Sequence, residues 1–232
     1  MKPKPERAEL PAPIPAMLPV FEHKGKLAAD SRDVAPFVEK DHAHLLRDIR
    51  RYVKAIDKSL NPKLVSVDYF IPATYIDPTG RELPSFYLTE MGCEVVANKM
   101  TGDKGIIFTA QYVKAFHAMR DELARRRELR VIGKPIRRSL TDALRDSGEV
   151  ERMKGHAYGT YTNLAFKLAT GRTAGQLRRE RGAAKDAHAV DILTAAELEV
   201  YQRKEAAIAV LLDAGLTYDA IKATLAGKEA PQ

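Results

Sequence analysis

SRDVAPFVEKDHAHLLRDIRRY, residues 31–52, is the stretch on which the fold turns: a short apolar-striped segment, a polar turn and a two-faced segment follow one another without a gap. At about 100° per residue, Leu45, Leu46, Ile49, Tyr52, Val53, Ile56 and Leu60 fall in one arc of a helix. His44, Arg47, Arg50, Arg51, Lys54 and Lys58 fall roughly opposite. One face of such a helix packs and the other can meet phosphate; an ordinary surface helix with a basic solvent side gives the same wheel. The preceding segment favours the first reading. Ser31 is a good N-cap residue, Val34, Ala35 and Val38 form one apolar stripe, and Glu39 to Ala43 has the length of a turn between crossed helices. This is the pattern of a DNA-reading helix-turn-helix, whose second helix would turn its opening residues, His42, Ala43, His44 and Arg47, to the groove floor.

Upstream, Leu18, Val20 and Phe21, then Lys24-Gly25, then Lys26 to Ala28 read as a small hairpin. Residues 1–16 hold five prolines and several charges and are expected to be a disordered tail. Downstream, Asn61-Pro62 stops helicity, and Val65, Val67, Tyr69 and Ile71 alternate with more polar residues as a strand would. Asp77-Pro78-Thr79-Gly80 turns the chain, which returns through Leu83 to Leu88. A hairpin after two helices is the layout of a wing, and Arg81 near its tip could touch phosphate or the minor groove. Pro72 and Pro84 equally suit plain edge strands.

Thr89 is placed to cap a helix through Asn98, and Thr101-Gly102-Asp103 breaks it. A helix of about 40 Å is expected over 104–130, with Ile106, Ala110, Val113, Phe116 and Leu123 near a 3.5-residue period. That stripe either seats on its own domain or pairs two subunits as a homodimer. Gly133 and Pro135 are expected to end it. From Ser139 onward the pattern is helical, over about 139–148, 157–170, 173–181, 194–213 and 217–226, with a capping box at Thr194 to Glu197. The expected organisation is a tail (1–16), an α+β DNA-binding domain of winged-helix type (17–130), a basic linker (131–138) and a small all-α domain (139–232).

The net charge of +7 suits a polyanionic partner. Its location is informative: residues 120–138 carry eight basic against three acidic side chains, five of the seven excess charges. Such a cluster attracts nucleic acid or an acidic surface, unless it is only a solvated helix end. One cysteine, Cys93, excludes an intramolecular disulfide and a multi-cysteine zinc site within one chain, and its place in an apolar helix suits a small buried hydrophobe. No phosphate-binding Gly-rich loop, His-Glu-x-x-His or nucleophile elbow occurs. His42 and His44, one residue apart on a helix, point too far apart to chelate one ion; one contacts the groove and the other packs or caps. Neither enzyme activity nor a cofactor is expected. The proline-broken N-terminus lacks a signal-peptide core and no apolar run spans a bilayer, so a soluble protein of the bacterial cytoplasm is expected.

The order of motifs resembles the Rha family of phage regulatory proteins, from about Met17 to Leu225. The resemblance rests on Ser31-Arg32-Asp33-Val34-Ala35, Lys40 with His42, Leu46-Arg47-Asp48-Ile49-Arg50, Tyr69-Phe70, Gly80-Arg81-Glu82-Leu83-Pro84 and Tyr87-Leu88-Thr89. In the second half, Leu140-Thr141-Asp142-Ala143, Tyr158 to Asn163, Thr170-Gly171 and Gln176-Leu177-Arg178 are similar to the helical domains attached to phage antirepressors and Rha-like proteins. Gly105 and Cys93 depart from the family pattern. The resemblance implies a phage or prophage regulator, associated with interference when the host lacks a DNA-bending partner. In the reading that follows, Lys40, Arg47, Arg50, Arg51 and Lys54 hold phosphates of double-stranded DNA, His42, His44 and Arg47 meet base edges, and Arg81 touches a neighbouring phosphate. The alternative is an antirepressor or adaptor whose helical domain binds a repressor or host protein.

Overall fold

Lys24 and Gly25, both with positive φ (50° and 78°), make the two-residue turn between Phe21–His23 (β1) and Lys26–Asp30 (β2). The computed structural model describes residues 17–59, 61–184 and 186–227; the proline-rich segment 1–16 and Leu60 lie outside them. The chain divides after Arg120 into two compact units.

In the N-terminal unit β2 passes into Ser31–Phe37 (α1) with no loop between them. The N-cap is Asp30, not Ser31: its carboxylate accepts from the Arg32 N–H at 2.8 Å. Ser31 is instead buried, and its Oγ accepts from the Phe86 N–H at 3.0 Å. A positive φ of 53° at Glu39 turns the chain into His42–Asp57 (α2). The strand expected from Val65 starts later. Ser66–Asp68 is a 3-10 turn, pinned by the Thr89 hydroxyl, which donates to the Asp68 carbonyl at 2.6 Å; Val65, its cap, and Val67, within it, are exposed. Phe70–Ile76 (β3) and Glu82–Thr89 (β4) then form a hairpin, and the antiparallel sheet runs β1-β2-β4-β3.

Thr89 also caps Glu90–Ala97 (α3), accepting from the Gly92 N–H at 3.2 Å. After a break at Gly102 comes Asp103–Asp146 (α4). Its buried stripe within this unit is Phe108, Tyr112, Ala115 and Phe116. Of the stripe expected from the sequence Phe116 is buried and Val113 and Leu123 are half-buried, whereas Ile106 is 71% exposed. The bulky aromatics at 108 and 112 fill the core with Leu45, Ile49, Phe70, Leu88 and Cys93, which rotates the line counted from Ile106 out to solvent.

Gly133 and Pro135 do not end α4, and residues 131–138 are helical rather than a linker. A proline inside a helix costs about 3 kcal/mol. Beyond it, however, Leu140 and Leu144 are fully buried, contributing about 1.5–3 kcal/mol each, and Arg137 pairs with Glu205 at 2.7 Å. Tertiary packing therefore outweighs the local preference. The C-terminal unit continues with Glu149–Arg152 (α5), Ala157–Thr170 (α6), Ala174–Glu180 (α7), a 3-10 turn at Ala189–Ile192, Ala195–Asp213 (α8) and Tyr218–Ala226 (α9). No strand occurs among its described residues. The capping box at Thr194 and Glu197 forms as expected, and a second forms at Thr173 and Gln176. The fold is thus α+β, a small sheet with helices followed by a helical region.

At Gly92 a Cβ would collide with the Tyr69 carbonyl, a main-chain atom that cannot swing aside. Gly92→Ala is expected to destabilise the N-terminal unit by about 3 kcal/mol. Urea unfolding followed by circular dichroism checks this; a midpoint equal to the parent's would contradict it.

Candidate nucleic-acid interface

Leu45, Leu46, Ile49 and Tyr52 of α2 are buried, and Val53 and Ile56 pack against the same core. The opposite face carries His44, Arg47, Arg50, Arg51 and Lys54, all exposed. Arg47, Arg50 and Lys54 form no ion pair among the described residues, so their charge is uncompensated within the unit. Arg51 lies 3.6 Å from Asp48 and its guanidinium sits 5.3 Å over the Tyr52 ring.

Lys40, in the turn before α2, donates to Asp48 at 2.7 Å. This bond, with the Lys40 and Arg51 charges, holds the Asp48 carboxyl below the usual carboxylate range. Lys40 is thereby tied to the cationic face. His44 is exposed, 3.4 Å from Asp41.

His42 is placed differently. On the helical wheel it falls within the apolar arc, and its half-buried ring reaches back to α1, with Nε2 2.9 Å from the buried Ser31 Oγ. The ring also meets Tyr75 of β3 edge-on, centroids 5.9 Å apart. Burial pushes the imidazole below the usual histidine range; Arg32 and Arg50 act in the same direction and Asp30 opposes them. His42 is expected from the sequence to meet base edges; its ring is instead held against Ser31 and Tyr75, so it is the packed one of the two histidines.

Two residues to which the sequence assigns no site role, Arg32 and Tyr75, join this cluster. Arg32 donates to Asp30 at 2.7 Å and lays its guanidinium 4.4 Å over the Tyr75 ring. No periodicity links positions 32 and 75; only the sheet brings them together. Arg81 stands apart on the β3–β4 hairpin, exposed, 2.9 Å from Asp77. Asp77 in turn accepts from the Thr79 hydroxyl at 2.7 Å and the Arg81 N–H at 2.9 Å, which closes the turn.

The other basic stretch is largely engaged. In the C-terminal unit Arg125 pairs with Glu199, Arg126 donates to the Leu193 carbonyl at 2.8 Å, Arg130 pairs with Asp191 and Arg137 with Glu205. The excess of charge at 120–138 therefore holds helices together more than it faces outward. Among the described residues, no helix is long and apolar enough to cross a membrane.

Residues 29–121 match the family model described as phage regulatory protein Rha. A Bacillus subtilis (strain 168) protein named "SPbeta prophage-derived putative antirepressor protein YoqD" is 47% identical over 135 residues, 58% of this chain and 48% of that protein. An uncharacterized protein of Haemophilus influenzae is 28% identical over 100 residues, 43% of this chain and 56% of that protein. The chain spans about half the length of the curated relatives it matches.

Because the folded-state pKa of His42 is depressed, the unfolded chain takes the proton first as pH falls through about 6.5. The contribution is fully present above that value and is lost as pH falls toward the folded-state pKa. His42→Gln should flatten this part of the stability profile, measured by urea unfolding at about pH 7.5 and 5.5. An unchanged slope would exclude His42 as its source.

Proposed function

We propose, from the match of residues 29–121 to the phage regulatory protein Rha family, that the chain is a phage or prophage transcriptional regulator that binds double-stranded DNA in the bacterial cytoplasm. In this reading α1 and α2 form the helix-turn-helix and the β3–β4 hairpin is its wing. The observation that carries it is the row of exposed cations Arg47, Arg50 and Lys54, without an ion pair among the described residues, on a helix whose other face is buried. Lys40, Arg50, Arg51 and Lys54 then neutralise phosphates, Ala43, His44 and Arg47 reach base edges, and Arg81 meets a flanking phosphate. His42, held by Ser31 and Tyr75, sets the angle of α2 and does not read bases. The exposed Ile106 and Ile107 on α4 support pairing of two copies and hence two half-sites.

A second reading is favoured by the likeness to the Bacillus protein named as a putative antirepressor: the helical C-terminal unit captures a repressor, as an antirepressor would. The balance of 13 basic and 13 acidic residues from Ser139 onward suits a protein partner better than a polyanion.

Selection from random duplexes should return an enriched site, and Arg47→Glu with Arg50→Glu should abolish binding to it. Arg50→Ala should lower the slope of log affinity against log salt by about one unit, as for one lost phosphate contact. No enriched sequence, or unchanged affinity of the double variant, would refute DNA reading by α2. In the second reading the double variant still relieves repression by the phage repressor in a reporter assay; loss of relief together with DNA binding would refute it.

A further inference from the structure

In the C-terminal unit, α4, α6, α8 and the 3-10 turn Ala189–Ile192 enclose a cleft of about 400 Å³. That volume lies in the range of small-ligand sites. The floor is apolar, made by Phe166, Val190, Leu198 and the Tyr201 ring. The α4 wall is cationic: Arg130, Lys134 and Arg137 recur at spacings of four and three, on one side of the helix. Between them Gly133 leaves room, since a Cβ there would collide with the Gln202 side chain.

The charges of the cleft do not cancel. Its one acid, Glu205, is buried and occupied, accepting from Arg137 at 2.7 Å and from the Tyr201 hydroxyl at 2.6 Å. Asp191 outside the cleft pairs with Arg130. Lys134 is exposed and forms no ion pair among the described residues, and Arg137 has further N–H groups beyond the one given to Glu205. An apolar floor beside an uncompensated cation selects a molecule with an apolar body and one negative group. A neutral molecule would gain nothing from Lys134, and a fully polar anion would gain nothing from the floor.

We propose that this cleft binds a small organic carboxylate, its apolar body on Phe166 and Leu198 and its carboxylate toward Lys134 and Arg137. The ligand bridges three helices, so it stabilises the unit in proportion to its occupancy. The site is separate from the DNA-binding proposal, and the failure of one leaves the other standing.

The test uses the full chain, titrated with indole-3-acetate and 4-methylpentanoate by isothermal calorimetry and ligand-observed NMR. Indole-3-acetamide and 4-methylpentanamide serve as the neutral counterparts. At least one carboxylate should bind saturably, with its amide about tenfold weaker. Lys134→Glu should weaken the carboxylate by about tenfold or more, while Lys222→Glu, the same charge change at an exposed position of α9, leaves it unchanged. Equal thermal midpoints for the two variants establish that both fold. Absence of saturable binding by both carboxylates overturns the proposal. So does equal affinity for acid and amide, or equal affinity of the Lys134 and Lys222 variants.

Discussion

A strand that becomes a helix without a spare residue is the constraint on which the N-terminal unit depends. Asp30 is both the last residue of β2 and the cap of α1, so its backbone pairs with Tyr87 while its carboxylate closes the helix start. The sheet pairing of β2 stops there, and the next amide along β4, that of Phe86, is taken by the Ser31 hydroxyl. The same hydroxyl meets His42 at the first turn of α2. A buried donor left without a partner costs about 1–3 kcal/mol, comparable to exposing a buried leucine. One small side chain thus ties sheet, first helix and second helix, and the direction in which the cations of α2 point follows from that knot together with the burial of Leu45 and Ile49.

Charge shows how composition and structure differ in what they say. The densest basic stretch in the chain, 120–138, is where the count alone places a polyanion contact, yet four of its arginines meet acids or carbonyls of α8 and its approach. Arg137 and Glu205 show the reason most clearly. The acid is 2% exposed, and burying it alone would be far costlier than burying it with a guanidinium and a tyrosine hydroxyl. The smaller excess on α2 stays outward because, among the described residues, Asp48 is the one acid that meets its arginines and the adjoining Lys40.

What was legible in the sequence is what local physics decides. The two faces of α2, the hairpin turn at Lys24-Gly25, the Thr89 and Thr194 caps and the helical C-terminal half each rest on a period or a residue type acting within a few positions. His42, by contrast, is assigned to base edges by its place at the start of the helix, although its wheel angle lies among the apolar residues and its ring packs on Ser31. The rest depends on partners far along the chain. Val65 and Val67 alternate as in a strand but cap and occupy a turn held by Thr89, and Pro135 reads as a stop until the burial of Leu140 and Leu144 is known. The stacking of Arg32 on Tyr75 and the cleft beside Lys134 are assembled wholly by tertiary structure.

Cys93 lies at the centre of the first core with no exposed surface, and burial raises its thiol well above the ordinary range. The native chain is therefore silent toward maleimide reagents while folded. A cysteine introduced on the outer face of α2 would be the sole labelled position, and a fluorophore or spin label there could report contacts to that helix without first replacing the natural thiol.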